Sequence, residues 1–230
     1  MSSRPIALVT GATRGIGSAV AHALAPTHDL LLGGRDRARL DELAGELRSA
    51  RPWPVDLTDF TALAATTTGI ERLDVLVHSA GLAELGTIEE TPAEVWRRTM
   101  EVNLVAVVEL TRLLLPALRA SHGHVVLLNS GSGLRANPNW GAYAASKFAL
   151  RAFGDVLRAE EAEHGIRVTS VHPGRTATDM QRSVREQEGG EFDPGQYLRP
   201  ESVAAAVVSA VTASRDAHVT EVVIRPGQAR

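Results

Sequence analysis

Tyr143-Ala144-Ala145-Ser146-Lys147 joins the two residue types in this chain best suited to proton chemistry at a useful spacing. At positions i and i+4 of a helix, both side chains share one face. A phenol with an ordinary pKa of about 10 moves protons poorly at neutral pH, but an adjacent ammonium favours the phenolate and brings that value toward the working range. Standing alone, such a pair is more often an ordinary helix surface. A second feature draws attention to the lysine: of 24 Lys and Arg residues, 23 are Arg and only Lys147 is Lys. Where a cation merely faces solvent, arginine has served throughout. A position that kept lysine is one where a compact ammonium differs from a broad guanidinium fork.

The second constellation is Thr10-Gly11-Ala12-Thr13-Arg14-Gly15-Ile16-Gly17, which follows an apolar run and leads into a helical pattern. Strand, glycine turn and helix in that order suit a dinucleotide. Glycine lets the backbone approach the pyrophosphate, and free N–H groups at the positive helix end meet its charge. The plain alternative is a tight turn, against which stands its place on the first βα unit. The nucleotide is chosen just beyond the second strand, at Gly34-Arg35. An acidic residue there would accept from a free ribose 2′-hydroxyl and repel a 2′-phosphate; a guanidinium does the reverse. Arg35, with Arg14 on the same side, therefore points to NADPH/NADP+ over NADH/NAD+. The competing reading is two solvated arginines.

These groups need a frame, and the chain supplies alternating strand and helix patterns. Strands are expected at 6–10, 30–34, 53–55, 74–78, 123–129, 167–172 and 221–224, with helices at 16–25, 37–49, 60–68, 92–118, 142–164 and 201–213. This alternation predicts an α/β fold: one Rossmann-type, doubly wound domain with a seven-stranded parallel sheet flanked by helices. Thr91-Pro92-Ala93-Glu94 marks a helix start, with an N-cap hydroxyl, a first-turn proline and a carboxylate. Pro116 predicts a kink or an early end within 92–118. The charged segment 176–199, with Gly189-Gly190, Pro194-Gly195 and only weak helical character at 180–185, reads as a mobile substrate lid.

Composition narrows the class. A chain of 230 residues with 44% apolar content suits a single domain over 1–230. A net charge of −3 with scattered cations argues against a nucleic-acid surface or a polybasic membrane patch. There is no cysteine, and the eight histidines form no compact ligand pattern, so no metal site is expected. The first ten residues lack a signal-peptide core, and no run approaches the roughly 20 apolar residues of a membrane span. A cytoplasmic protein acting on small molecules is the expectation.

Gly11, Gly15 and Gly17, the pair Tyr143 and Lys147, and a serine thirteen positions before that tyrosine occur together here. On these residues the chain resembles the short-chain dehydrogenase/reductase family, from about residue 5 to its C-terminus, with the motifs in family order and spacing. The resemblance implies an NADPH-dependent oxidoreductase that moves hydride between nicotinamide and a carbonyl or alcohol carbon. Tyr143 would be the proton donor in reduction and the acceptor in oxidation. Ser130 would hydrogen-bond the reacting oxygen; Ser132 has the wrong spacing to Tyr143. Lys147 would bind the nicotinamide ribose, and Asn103 would hold a proton-relay water. The cofactor would further be contacted by Gly11, Thr13, Arg14, Gly15, Ile16, Gly17, Arg35, Asp56, Leu57, Ala80, Gly81, Pro173, Gly174, Thr176 and Thr178.

Two departures from the family pattern stand out: Thr176 replaces a frequent apolar residue, and His78-Ser79-Ala80-Gly81 replaces Asn-Asn-Ala-Gly. Ser79 lacks an amide's two-sided bonding, so altered hydrogen bonds under the cofactor are expected. The helices at 92–118 and 142–164 resemble those that pair in family homodimers and homotetramers. A non-catalytic NADP(H)-binding regulator on the same fold is the rival reading, and the complete Ser130, Tyr143, Lys147 and Asn103 set weighs against it. Substrate choice would fall to 134–140, 84–87 and 176–199, with Trp140 and Tyr197 either lining a pocket or packing.

Overall fold

A computed structural model describes residues 4–227. Seven strands form one parallel sheet in the order β3-β2-β1-β4-β5-β6-β7. They are β1 (Ile6–Thr10), β2 (Asp29–Gly34), β3 (Ala50–Pro54), β4 (Val75–His78), β5 (His124–Leu128), β6 (Arg167–Pro173) and β7 (Glu221–Ile224). The strand order reverses between β1 and β4, so a crevice opens at the carboxyl ends of these two neighbours. Both faces are covered, which explains the continuous apolar runs of the central strands. Alternate residues serve opposite layers: Ala7 and Val9 of β1 pack with Val20 and Leu24, while Leu8 packs with Leu110 and Leu118.

The helices are α1 (Gly15–Leu24), α2 (Arg37–Glu46), α3 (Phe60–Thr67), α4 (Ala93–Met100), α5 (Ala106–Ser121), α6 (Gly141–Glu160), α7 (Asp179–Gln187) and α8 (Pro200–Thr212). α1 and α8 lie over one face, and α5 and α6 over the other. Their starts follow local chemistry. Asp36 and Asp59 cap α2 and α3 by accepting from Arg39 N and Ala62 N, and a proline opens α8.

Several boundaries differ from the sequence reading. β3 begins earlier, at Ala50, although it includes Pro52 and Pro54; as an edge strand it needs N–H donors on one side only. The expected single helix over 92–118 is three pieces, with a π-helical turn, Glu101–Val105, between α4 and α5. Pro116 neither ends nor shortens α5, which runs on to Ser121 and stops at left-handed His122 (φ 51°). The bond lost at Pro116 would have used the carbonyl of Arg112, and both residues are exposed, so water can take that acceptor. Within 176–199, α7 is a regular nine-residue helix capped by Thr178 Oγ1, which accepts from Gln181 N. Arg185 in its last turn and Arg175 ahead of it both pair with Glu188, the residue that ends the helix.

The layer under α5 carries much of the stability. Leu110 is fully buried against the sheet. Leu110→Ala is expected to cost about 2–5 kcal/mol, from lost transfer energy plus the cavity left behind. Equilibrium urea unfolding with an unchanged m-value checks this.

Candidate active site

Parallel strands end on the same edge, and here those ends surround a cavity of about 660 Å³. Its floor on one side is the loop from β1 to α1. Gly11 (φ 65°) and Gly15 (φ 57°) adopt the left-handed backbone that glycine permits. A Cβ on Gly17 would lie 2.2 Å from the Gly11 carbonyl oxygen, and one on Gly11 would lie 2.9 Å from the Ala80 backbone. Glycine at these two positions therefore lets the loop fold backbone against backbone on the cavity wall. The N-cap of α1, Arg14, makes no side-chain hydrogen bond to the helix, so no side chain caps the first-turn N–H groups. Uncapped N–H donors and a positive helix end on a tightly folded glycine loop fit a pyrophosphate.

The far wall is built by β5 and α6. Tyr143 and Lys147, in the first turns of α6, are buried at 8% and 5% exposure. Ser130, in extended backbone just past β5, accepts from Ser132 N, and both its side chain and the Tyr143 phenol line the cavity. Lys147 Nζ donates to the Leu128 carbonyl at 2.9 Å and lies 5.8 Å from the centre of the Tyr143 ring. Burial brings the ammonium down to about 8. Burial also raises the Tyr143 phenol above its ordinary value, and the Ser130 hydroxyl opposes that rise. The sequence reading had the ammonium lowering the tyrosine. In this geometry desolvation is the larger effect, because Nζ points its bond at Leu128 and not at the phenol.

Asn103 sits within the π turn, and its side chain is fully engaged. Nδ2 donates to the Leu82 carbonyl and Ser146 Oγ, each at 3.0 Å, while Oδ1 accepts from Leu82 N at 3.0 Å. Ser146 Oγ in turn donates to the Tyr143 carbonyl at 2.7 Å. Asn103 thus ties the loop after β4 to the first turn of α6, and its side chain does not line the cavity. Ser130, Tyr143, Lys147 and every cofactor-contact residue inferred from the resemblance do line it.

Electrostatics differ along the cradle. Arg35 is exposed at the end of β2 and Arg14 lies 3.8 Å from Asp179. Asp56 is held below its ordinary value first by the Thr58 backbone N–H, then by the Thr58 hydroxyl, with a smaller pull from Arg35. The loop with the unusual His78-Ser79 sequence keeps its shape through Thr10, whose Oγ1 accepts from Ser79 N and Ala80 N. His78 is turned away, bonded to Thr111 Oγ1 at 2.9 Å, and burial lowers it to about 3, which keeps it neutral.

Trp140 lines the cavity and meets the Tyr143 ring edge-on at 5.6 Å, whereas Tyr197 stacks on Phe192 outside the lining. Arg135 and Gln181 line the cavity from the segments expected to choose the substrate, whereas sequence reasoning missed Arg175 and Arg225 as lining residues, and His172, whose Nδ1 donates to the Ser130 carbonyl at 3.1 Å. Arg225 follows β7, and the rule that parallel strands end at the site would have found it. Among the described residues no cluster of His, Asp or Glu is placed to hold a metal, and no helix is long and apolar enough to cross a membrane.

Comparison with known proteins matches this arrangement. A family model described as short chain dehydrogenase covers residues 5–189. An uncharacterized oxidoreductase of Staphylococcus epidermidis is 34% identical over 230 residues, covering 96% of each protein. Glycine betaine reductase ATRR of Emericella nidulans is 34% identical over 238 residues, 97% of this chain, and the chain spans only 19% of that protein. The solved alcohol dehydrogenase of the archaeon Thermococcus sibiricus, complexed with 5-hydroxy-NADP, superimposes with a TM-score of 0.89 at 28% identity over 99% of both chains. On a family match that takes in the glycine loop and Tyr143 with Lys147, this chain belongs to the short-chain dehydrogenase/reductase family of oxidoreductases.

Proposed function

We propose that the protein is an NADPH-dependent reductase, or in reverse a dehydrogenase, acting at the carbonyl or alcohol carbon of a small molecule. The observation that carries this reading is the gathering of Ser130, Tyr143 and Lys147 on the lining of a cavity that begins in the glycine cradle, with Lys147 Nζ 5.8 Å from the centre of the Tyr143 ring. Bound NADPH would supply the hydride. Gly11, Gly15 and Gly17 fold the loop that would cradle the pyrophosphate, and Lys147, whose Nζ lies 4.0 Å from where a Gly81 Cβ would stand, would bind the ribose. Ser130 and Tyr143 both line the cavity, where a carbonyl oxygen would accept from the serine hydroxyl and receive the phenol proton. The raised phenol stays protonated at neutral pH, which suits it to donate.

Arg35 and Arg14 support preference for the 2′-phosphate, as does the complex of the Thermococcus sibiricus relative with 5-hydroxy-NADP. We read α7 and the turns after it as a lid over the substrate, which Arg175, Arg185 and Glu188 hold in the conformation seen here. Exposed Phe148 and Val156 on α6 and Val105 at the start of α5 support a homodimer or homotetramer built on these helices. A cytoplasmic setting accords with a chain free of cysteine.

Arg35→Asp is expected to weaken NADPH far more than NADH, by about thirty-fold to several hundred-fold, through loss of a charge-assisted contact and gain of repulsion. Fluorescence titration with both cofactors measures it, and equal weakening of the two would refute the assignment.

Lys147→Arg keeps the charge but cannot place a point donor at the Leu128 carbonyl. Turnover of any accepted carbonyl should fall by about a hundred-fold or more while the thermal melt stays cooperative. Near-normal turnover would remove Lys147 from the machinery.

The pH profile follows from the same pair. Reduction needs a protonated Tyr143 and a charged Lys147; the first persists through neutral pH, and the second is lost as pH rises through about 8. The rate of carbonyl reduction at saturating NADPH should be flat at neutral pH and decline above about 8. A rate that instead climbed through that range would contradict the assigned protonation states.

A further inference from the structure

The cavity lining divides by charge. At its nucleotide end Arg14 and Arg35 are matched by Asp179 and Asp56, the first pair separated by 3.8 Å and the second coupled enough for Arg35 to pull Asp56 down. At the end beside Tyr143 the lining carries Arg135, Arg175 and Arg225 and no carboxylate. Arg175 is answered from behind by Glu188, which Arg185 also uses, so one carboxylate serves two guanidinium groups.

Arg135 and Arg225 make no ion pair among the described residues, and of the two it is Arg225 whose guanidinium lies against the residue after Ser130. The Arg135 backbone N–H donates to the Gly131 carbonyl at 3.1 Å. The Arg225 guanidinium atoms lie 3.2–3.4 Å from where a Gly131 Cβ would stand, so this glycine admits the cation to the wall. Arg225 is fixed there because Nη1 donates to the His172 carbonyl at 3.1 Å and the Ile224 carbonyl at 3.2 Å. No hydrogen bond among the described residues uses its Nε or Nη2. Across the cavity, Arg175 lies 5.8 Å from the Trp140 ring, which meets Tyr143 at 5.6 Å. A guanidinium fixed on one nitrogen and free of an ion pair, as that of Arg225 is, suits bidentate capture of a carboxylate beside a reacting carbonyl.

We propose that the preferred substrates are oxo acids: carbonyl compounds whose carboxylate is held by Arg225, with Arg135 closing on it, while the carbonyl oxygen meets Ser130 and Tyr143. This rests on the hydride-transfer reading above and names its substrate class. In the reduction, the carbonyl carbon gains the hydride that converts NADPH to NADP+, and its oxygen gains the Tyr143 proton. An oxo acid becomes a hydroxy acid.

The test uses matched pairs, 4-oxopentanoate and 5-oxohexanoate against their methyl esters, in two independent measurements. Calorimetric titration into the NADP+-loaded protein should show each acid binding about tenfold to a hundredfold more tightly than its ester, the scale of one charge-assisted contact. kcat/KM in NADPH oxidation should show the same ordering. The acid-to-ester ratio should fall tenfold or more in Arg225→Gln, and by a smaller factor in Arg135→Gln. Acids that bind no better than esters overturn the proposal even if both are reduced, in which case hydride transfer stands without this substrate class. A wild-type preference that survives both substitutions also overturns it, since the anion is then held elsewhere. Acids that bind selectively through Arg225 while no carbonyl of a broad panel is reduced support the anion site and count against the proposed function alone.

Discussion

Keeping an ammonium buried governs this structure around its site. Lys147 is almost wholly removed from water, and its one hydrogen bond among the described residues goes to the last carbonyl of β5. A charge in such a place costs heavily unless its surroundings are fixed. α6 must therefore lie close on the sheet, which Gly154 allows: a Cβ there would come within 2.9 Å of Leu127 and 3.0 Å of Ser170. The Asn129 side chain bonds the Lys147 carbonyl at 3.1 Å, fastening the helix at the same level. Tyr143 then stands over Ser130 because both are set by elements that already serve the lysine.

The site also relies on side chains that never face the cavity. Asn103 and Ser146 join the π turn, the loop after β4 and the opening of α6 into one hydrogen-bonded unit. His172 supports the Ser130 carbonyl from behind, and Thr10 holds the backbone of Ser79 and Ala80 under the cradle. Geometry precise enough to steer a proton is thus secured by buried polar networks whose partners are nearly all backbone groups.

The fold was largely legible because its signals are local and repeated: strand patterns with a glycine turn, a capped helix or a proline start beside them. All seven expected strands are present, and the tyrosine, lysine, serine and glycine positions converge on one cavity. What escaped depended on tertiary placement. Pro116 lies on a solvent face where its missing donor does little harm, and Pro52 lies on a sheet edge. The helical character of α7 was underrated because its charged side chains find partners outside the helix, Asp179 with Arg14 and Arg185 with Glu188, which the local pattern does not show. The direction of the Tyr143 shift was missed for a similar reason. Sequence gives the neighbour but not the depth of burial.

The π turn at Glu101–Val105 also constrains how the length of this chain can vary. One residue more or less in a helix rotates everything on one side by about 100° relative to the other. α4 presents Trp96 to Gly141, where a Cβ would sit 3.1 Å from its ring, while α5 must keep Leu110 and Leu114 on the sheet. The wider turn absorbs one such residue, so deleting it would close the stretch into regular helix with Trp96 and Leu110 still on their own faces, and what would be lost is the local reach of Asn103 to Leu82 and Ser146. Any other change of length here would turn α4 against α5.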